Sequence, residues 1–527
     1  MADTTEKTHV DLRDDKLVSD VLEATAQEHR MTLLQAVHLY PKAIGWSVLL
    51  STAIVMEGYD VVLMQSFYAF PAFAERYGQR MSDGSYQITA AWQSGLSNGA
   101  NVGEILGLFI NGIVSERYGY RVTMIASLTA LIGFVFIPFF AENIESLEAG
   151  EILMGIPWGV FQTLTTAYAS EVCPVVLRGY LTTYVNVCWG VGQLLATGVL
   201  RGLLSRSDQW AYRIPFALQW MWPVPLLVGI FFAPESPWWL VRKGRVESAR
   251  EALLRLTTSS ADSDFDVDQT LAMMVHTDNL DRKLTKGTSY YDCFRGIDLR
   301  RTEIVCVTWA IQNLCGAAFM GYSSYFFQQA GLSVSYSFDM SMALYAVAIV
   351  GVFASWFFMS RFGRRTLYLG GLTALFIILL VIGIVAATDS SKSSGWVIGS
   401  LLLVYTLFYD ITVGTVAYSI VAEMPSSRLR TKTIVLGRNL YNVIGIINGV
   451  ITPYMLNPSA WNWKGKAGFF WAGLCFLCTV WAYFRLPEPK GRTYEELDLL
   501  FERRVSARKF KETEVNLESS VQHDKEI

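Results

Sequence analysis

The chain has 527 residues, 52% of them apolar and only 17% charged, where a soluble domain carries nearer a quarter charged. Its formal net charge of −3 excludes a nucleic-acid partner, which needs a basic surface. In chain order, residues 1–43 are polar and of mixed charge, a tail without the apolar core of a cleavable signal peptide. A helix that crosses a bilayer needs roughly 20 mostly apolar residues. Six such runs fall within 44–233, at about 46–70, 92–114, 122–140, 149–169, 180–200 and 213–233. Residues 234–302 are charged again, and the Arg242-Lys-Gly-Arg245 stretch with the charges after it suggests short surface helices. Six more runs fall within 303–486, at about 303–325, 340–359, 366–387, 396–420, 433–455 and 467–486. Residues 487–527 make a second polar tail. The fold expected is an all-α membrane protein of twelve transmembrane helices in two six-helix bundles.

Basic residues in the short loops set the orientation. They follow the second span (Arg117, Arg121), the fourth (Arg178), the eighth (Arg361, Arg364, Arg365) and the tenth (Arg428, Arg430, Lys432). The loop after the third span holds Glu142, Glu145 and Glu148. Even-numbered exits, the central loop and both termini are therefore placed in the cytoplasm. Seven scattered cysteines give no disulfide framework.

Three motifs recur in the same order roughly 250 residues on. Arg117-Tyr-Gly-Tyr-Arg121 returns as Arg361-Phe-Gly-Arg-Arg365. Glu171-Val-Cys-Pro174 before Arg178 returns as Glu423-Met-Pro425 before Arg428 and Arg430. Pro234-Glu-Ser-Pro237 returns as Pro487-Glu-Pro489. Duplicated halves packed face to face are how many secondary transporters build a central site.

These motifs resemble the sugar porter family of the major facilitator superfamily. The likeness runs from about residue 46 to 495. It covers Gly112-Ile-Val-Ser-Glu116-Arg117-Tyr-Gly119-Tyr-Arg121, then Glu171, Pro174, Arg178 and Gly179, then Pro234-Glu-Ser-Pro-Trp-Trp-Leu240 and Pro487-Glu-Pro-Lys-Gly491. Within the family, Glu57-Gly-Tyr-Asp60, Ile156-Pro-Trp-Gly159 and Glu423-Met-Pro-Ser-Ser-Arg-Leu-Arg-Thr-Lys-Thr433 are similar to fungal maltose and α-glucoside permeases. The resemblance implies the major facilitator fold. It also implies import of α-glucosides such as maltose across the plasma membrane, by proton symport through alternating access. The proton is the coupling ion and no cofactor is implied. A monomer is expected. A different disaccharide such as lactose or cellobiose, a hexose, or a sugar sensor on a transporter scaffold remain as alternatives. An enzyme does not: the five histidines, His9, His29, His38, His276 and His523, all lie outside the spans, and no nucleophile–base pair or metal cluster is visible.

At the cytoplasmic ends, Glu116, Arg117, Arg121, Glu171, Arg178, Arg361, Arg365, Glu423 and Arg430 form a candidate gate. A carboxylate at a helix end can pair with an arginine of a neighbouring loop and latch the two bundles shut. Simple positive-inside topology is the competing explanation.

Ionisable residues in mid-membrane are expensive and default to function. Glu57 and Asp60 are three apart in the first span and share a face. Glu104 lies in the second span with Asn98 and Asn101 near it, Asp410 in the tenth and Arg438 in the eleventh. Glu151 is nearer the outer end of the fourth span, within reach of interfacial water. Withdrawal from water favours a neutral carboxyl and a nearby arginine favours a charged one. At least one deep acid is thus expected to take up a proton and to respond as water enters or leaves. A structural network of paired polar groups is the alternative, and Asp410 is the weakest candidate. By the resemblance, Asp60 falls on the first-span aspartate of proton-coupled sugar porters. Relatives often pair it with a fourth-span arginine, and Glu151 stands there instead. Charge balance makes Arg438 the expected replacement. The proton-coupling set is Asp60, Glu57, Glu104 and Arg438.

A sugar site needs amide side chains for hydroxyls and an aromatic ring for stacking. Asn186 and Gln193 lie two turns apart on one face of the fifth span. Gln312 and Asn313 precede Leu-Cys-Gly316 where the family has a Q-Q-x-S-G run. Tyr418 of Gly414-Thr-Val-Ala-Tyr418 replaces the usual tenth-span tryptophan and lacks its prolines. Asn442 falls near an eleventh-span asparagine. The substitutions suit a ligand larger than a hexose; interhelical hydrogen bonding is the competing role for each residue.

Overall fold

The computed structural model describes residues 30–513, apart from 82–83, 259–265, 286–288, 389–391, 427, 491 and 493. Most of the amino-terminal tail, the end of the carboxyl-terminal tail and His9, His29 and His523 lie outside the described residues. The first half crosses six times: Pro41–Ser51 continued by Ala53–Phe67, Ala90–Tyr118, Tyr120–Phe134 with Phe136–Phe140, Ile144–Val172, Val175–Leu203, and Trp210–Leu218 with Pro223–Phe231. The second half repeats this: Gly296–Leu314 with Ser323–Gln329, Val334–Arg361, Arg364–Thr388, Lys392–Ile411 with Val413–Glu423, Arg430–Leu456, and Ala467–Arg485. Between them lie the surface helices Pro237–Arg242, Val246–Leu256 and Val267–Thr285. The seventh span starts at Gly296, earlier than its apolar run. Asp298, Arg300, Arg301 and Glu303 therefore belong to its first turns, because the helix outruns the hydrocarbon.

Eight of the spans are long and apolar enough to cross a membrane on composition alone. The second, fourth, fifth and seventh fall short, and these four carry Glu104, Glu151, Asn186, Gln193, Gln312 and Asn313. Their polarity is hidden by burial within the bundle rather than matched to lipid. Thr89, Asn143 and Ser333 open the second, fourth and eighth spans, each side chain accepting from a backbone N–H three residues on.

Small residues set the closest crossings. Gly103 and Gly107 of the second span meet Gly155 and Gly159 of the fourth, and a Cβ at any of the four would enter the opposing backbone. Gly58 of the first span and Gly192 of the fifth do the same for that pair. Glu104 follows Gly103 directly, and Gln162 lies one turn past Gly159. The glycine crossing is what brings their side chains together. The seventh span breaks at Gly316, whose φ of 100° suits glycine. The tenth breaks at Thr412 without any proline.

The halves meet at the ends away from the central loop. Arg201 pairs with Asp339 at 2.6 Å. Ser66 and Ser324 hydroxyls lie 3.3 Å apart, and Asn457 Nδ2 donates to the Ile88 carbonyl at 2.9 Å. Tyr68 stacks on Tyr322, and Phe70 meets Phe338 edge-on. Further in, Trp356 Nε1 donates to Thr183 Oγ1 at 2.8 Å.

Gly159→Leu should prevent the second and fourth spans from closing, a cost of about 1–3 kcal/mol or more for overpacking. Gly133→Leu, where a Cβ meets nothing within 4 Å, should be tolerated. Thermal unfolding of the two variants in detergent checks this, and equal midpoints would refute it.

Candidate functional site

The buried acids fall into two networks. The first is built on Gln162 of the fourth span, which is 9% exposed. Its Nε2 donates to Glu57 Oε1, and to Glu104 Oε2 at 3.2 Å. Its Oε1 accepts from Arg438 Nη2, across the boundary between the halves, at 2.7 Å. One amide thus uses both ends, joining two acids of the first half to the arginine of the second. The Arg438 guanidinium also lies over the rings of Tyr441, at 4.5 Å, and Trp309, at 5.2 Å.

The second network surrounds Asp60. Gln219 Nε2 donates to Asp60 Oδ1, while Asp60 Oδ2 and Glu151 Oε1 are buried without a hydrogen-bond partner and the two carboxyls act on each other electrostatically. Glu57 and Asp60 are both 0% exposed and Glu151 is 1% exposed. Two expectations are corrected here. Glu151 does not reach interfacial water; it packs inside the bundle against the first span. Arg438 does not partner Asp60, because its guanidinium is held one network away by Gln162. Glu57 and Asp60 share a helix face yet serve different networks, since the fourth span passes both with Gln162 and Glu151 three turns apart. Asp410 is half-buried, with its Cβ against Gly351 of the eighth span. Asn101 Nδ2 donates to Asn98 Oδ1 at 3.3 Å, and Asn98 faces Gly449 of the eleventh span.

The candidate sugar residues form two groups. In the second half, Gln312 Nε2 donates to the Gly414 carbonyl at 2.7 Å, just past the tenth-span break. Asn313 Nδ2 donates to the Tyr441 carbonyl at 3.0 Å. Tyr418 meets Trp309 edge-on with ring centroids 4.8 Å apart, and Trp309 meets Tyr441. Asn442, beside Tyr441, is buried and its Nδ2 has no protein partner. Gln312 and Asn313 therefore commit their N–H groups to backbone and keep carbonyl oxygens. Asn186 and Gln193 stand half-buried on the fifth span of the other half; Asn186 Nδ2 is also without a protein partner. Among the described residues no hydrogen bond joins these two to the second-half group.

At the ends that carry the repeated motifs the two halves share one device. Glu235 accepts from the backbone N–H of Tyr120 (2.9 Å) and Arg121 (3.2 Å). Glu488 accepts from Arg364 (2.8 Å) and Arg365 (3.1 Å) in the same way. Each carboxylate seals the start of a span, where unpaired N–H groups and the helix dipole favour negative charge. A Cβ at Gly119 or Gly363 would strike that carboxylate, which explains the glycine of both repeated motifs. Burial pushes the Glu235 carboxyl up, against the hydrogen bonds of Ser236, Arg121 and Tyr120.

The predicted gate residues are arranged differently from expectation. Glu171 pairs with Arg242 at 2.7 Å and accepts from Tyr120 and Ser236 hydroxyls. Glu423 pairs with Arg364 at 3.1 Å. Both pairs tie a half to its own loops, so in this structure neither carboxylate latches one bundle to the other. Arg365 donates to the Leu486 and Tyr483 carbonyls, and Arg178 to the Cys173 carbonyl. Arg117, Arg121 and Arg361 lie over the rings of Tyr118, Phe231 and Phe357. Glu116 is exposed, and its backbone carbonyl accepts from Trp239. Arg430 is half-buried at the start of the eleventh span.

Sequence reasoning missed Gln162, Gln219, Arg242, Glu235 and Glu488. The last two sit inside quoted motifs, and their repetition was the available signal. Gln162 and Gln219 carry no charge and stood out from no background.

Two repeated six-helix halves around a buried polar centre define a secondary transporter of the major facilitator fold. Residues 46–501 match the family described as sugar (and other) transporter, and the chain belongs to it. It is 45% identical over 513 residues to a general alpha-glucoside permease of Saccharomyces cerevisiae, covering 96% of this chain and 83% of that one. It is 43% identical over 507 residues to a maltose permease of the same species, covering 95% and 82%. Among solved structures, the proton:xylose symporter XylE bound to 6-bromo-6-deoxy-D-glucose superposes with a TM-score of 0.71 at 20% identity, over 88% of this chain and all of that one. The inward-open xylose transporter XylE from E. coli gives 0.70 at 18%, over 87% and 99%.

Gln162→Leu should cut transport at least about tenfold at normal surface level, because it strands Glu57, Glu104 and Arg438 together. Initial uptake rates beside surface labelling check this; a native rate would make the bridge incidental.

Proposed function

We propose that the protein imports α-glucosides, maltose among them, across the plasma membrane by proton symport. It works by alternating access between the halves 44–233 and 303–486, as a monomer with both termini in the cytoplasm. The substrate class is supported by the yeast relatives, whose names are α-glucoside and maltose permease and whose likeness runs nearly end to end. Proton coupling is carried by one observation: the buried carboxyls of Glu57 and Glu104 are linked to the other half through Gln162 and Arg438. A facilitator needs no such groups. In this reading Asp60, Glu57 and Glu104 exchange the proton, and Arg438 senses the charge of Glu57 and Glu104 from the second half.

Sugar binds between Asn186 and Gln193 on one side and Gln312, Asn313, Tyr418 and Asn442 on the other. The unpartnered amides of Asn186 and Asn442 and the spare carbonyls of Gln312 and Asn313 suit ligand hydroxyls. The glutamate–arginine pairs at the cytoplasmic ends hold each bundle rigid to its loops, so the bundles rock as bodies. The cytoplasmic gate then lies in how those bodies meet.

The test is uptake of labelled maltose, trehalose, sucrose, lactose and glucose in a transport-null host, with external pH recorded. Maltose should enter with alkalinisation of the medium, and Asp60→Asn should abolish both accumulation and alkalinisation, since an amide cannot cycle a proton. Gln193→Ala should raise the maltose Michaelis constant by roughly 5- to 150-fold, the loss of one buried hydrogen bond. A native constant, or glucose outcompeting every disaccharide, would overturn the substrate reading. Accumulation by Asp60→Asn would overturn its role in coupling.

A further inference from the structure

The fourth span carries more acid than the two networks use. Glu145, Glu148 and Glu151 recur every three residues and rise along one face from its outer end. Glu145 is exposed, Glu148 half-buried and Glu151 buried. At 1.5 Å per residue Glu151 lies about 10 Å inside the start of the helix. The second span leaves a slot for these side chains. A Cβ at Gly99 would stand 3.1 Å from Glu148 Oε1 and 3.3 Å from Glu151 Cβ, and one at Gly95 3.3 Å from Glu148 Oε2.

Two carboxyl groups can hydrogen-bond each other only if one of them holds a proton. Asp60 and Glu151 are buried neighbours that act on each other, and a proton shared between them would let their carboxyls meet. Asp60 Oδ2, Glu151 Oε1 and Glu148 Oε2 are all buried and take no hydrogen bond from an N–H or hydroxyl donor. The titratable groups that act on the pair are Glu148 of the fourth span and the phenols of Tyr59 and Tyr68 of the first. Gln219 faces it from the sixth span. The charge of Arg438 acts on Glu57 and Glu104.

Resting on the symport reading, we propose that Asp60 and Glu151 hold the coupling proton between them, and that Glu148 is the group through which it enters from the outer face. A proton from outer water bonds to a Glu148 carboxylate oxygen. That O–H then breaks as the proton passes to Glu151, and Glu148 returns to its carboxylate. The pair, which shares one proton between its two orphaned oxygens, now carries two. Release to the inner face returns it to one. The acid at the fourth span gives Asp60 a second titrating partner, so the site changes by one charge without leaving two bare carboxylates in contact.

The experiment compares wild type, Glu151→Gln, Glu151→Asp, Glu148→Gln and Glu148→Asp at matched surface level. It measures maltose accumulation, maltose counterflow and the external-pH profile of initial uptake. Glu151→Gln should lose accumulation about tenfold or more while counterflow, which moves no net proton, persists. Glu148→Gln should slow uptake near neutral pH and recover as the medium is acidified. Both aspartate variants should restore function in part. Native accumulation in Glu151→Gln, or a native pH profile in Glu148→Gln, overturns the proposal. So does a parallel loss of accumulation and counterflow in both glutamine variants, which would mark the acids as packing groups. If wild type moves no proton with maltose, the symport reading itself has failed and this proposal falls with it.

Discussion

A charge withdrawn into a bilayer must find a partner there, and the hydrogen bond from Arg438 to Gln162 is where the two halves meet that demand jointly. Arg438 belongs to the second half, Glu57 and Glu104 to the first, and one neutral amide stands between them. A direct guanidinium–carboxylate pair would bind the halves by a strong, desolvated contact. A glutamine in between transmits the charge and leaves a single hydrogen bond at the centre to break when the halves separate. The rest of the centre follows from keeping that bond possible. Glycine crossings set the depth of Glu104 and Gln162, and aromatic rings of the second half hold the guanidinium in place.

The same economy shapes the ends that carry the repeated motifs. Glu235 and Glu488 occupy equivalent places in the two halves and each caps the start of a span through paired backbone N–H groups. Glu171 with Arg242, and Glu423 with Arg364, add an ion pair to each. These contacts make every half continuous with its own loops. Rigid halves matter for a carrier, because a local change at a central site reaches the ends of the molecule only if the intervening helices do not yield.

The spans were legible because lipid imposes a length and an apolarity that few other constraints imitate, and the repeat was legible because its motifs are short and charged. Glu57, Asp60, Glu104 and Arg438 announced themselves by the cost of placing charge in hydrocarbon. Their partners did not. Helical spacing put Glu57 and Asp60 on one face, but which neighbour each meets depends on where the fourth span crosses, and glycine contacts decide that. Its distance from the helix end marks Glu151 as interfacial, and burial inside the bundle reverses that expectation. Gln162 and Gln219 are uncharged, so only three-dimensional proximity to the acids distinguishes them from ordinary interhelical amides. The tenth-span break shows the opposite limit: its prolines are absent, yet the helix still parts at Thr412, and the Gly414 carbonyl just past the break accepts from Gln312.

The account stands on sugar and proton moving together through one protein. Purified protein in sealed vesicles, with a maltose gradient directed inward and no initial pH difference, isolates that claim. The interior should acidify as maltose enters, and a proton ionophore should erase the pH change while leaving sugar entry. Maltose entry with an interior pH that stays constant in the absence of ionophore would contradict it, and would make the buried carboxyls a structural network in a facilitator.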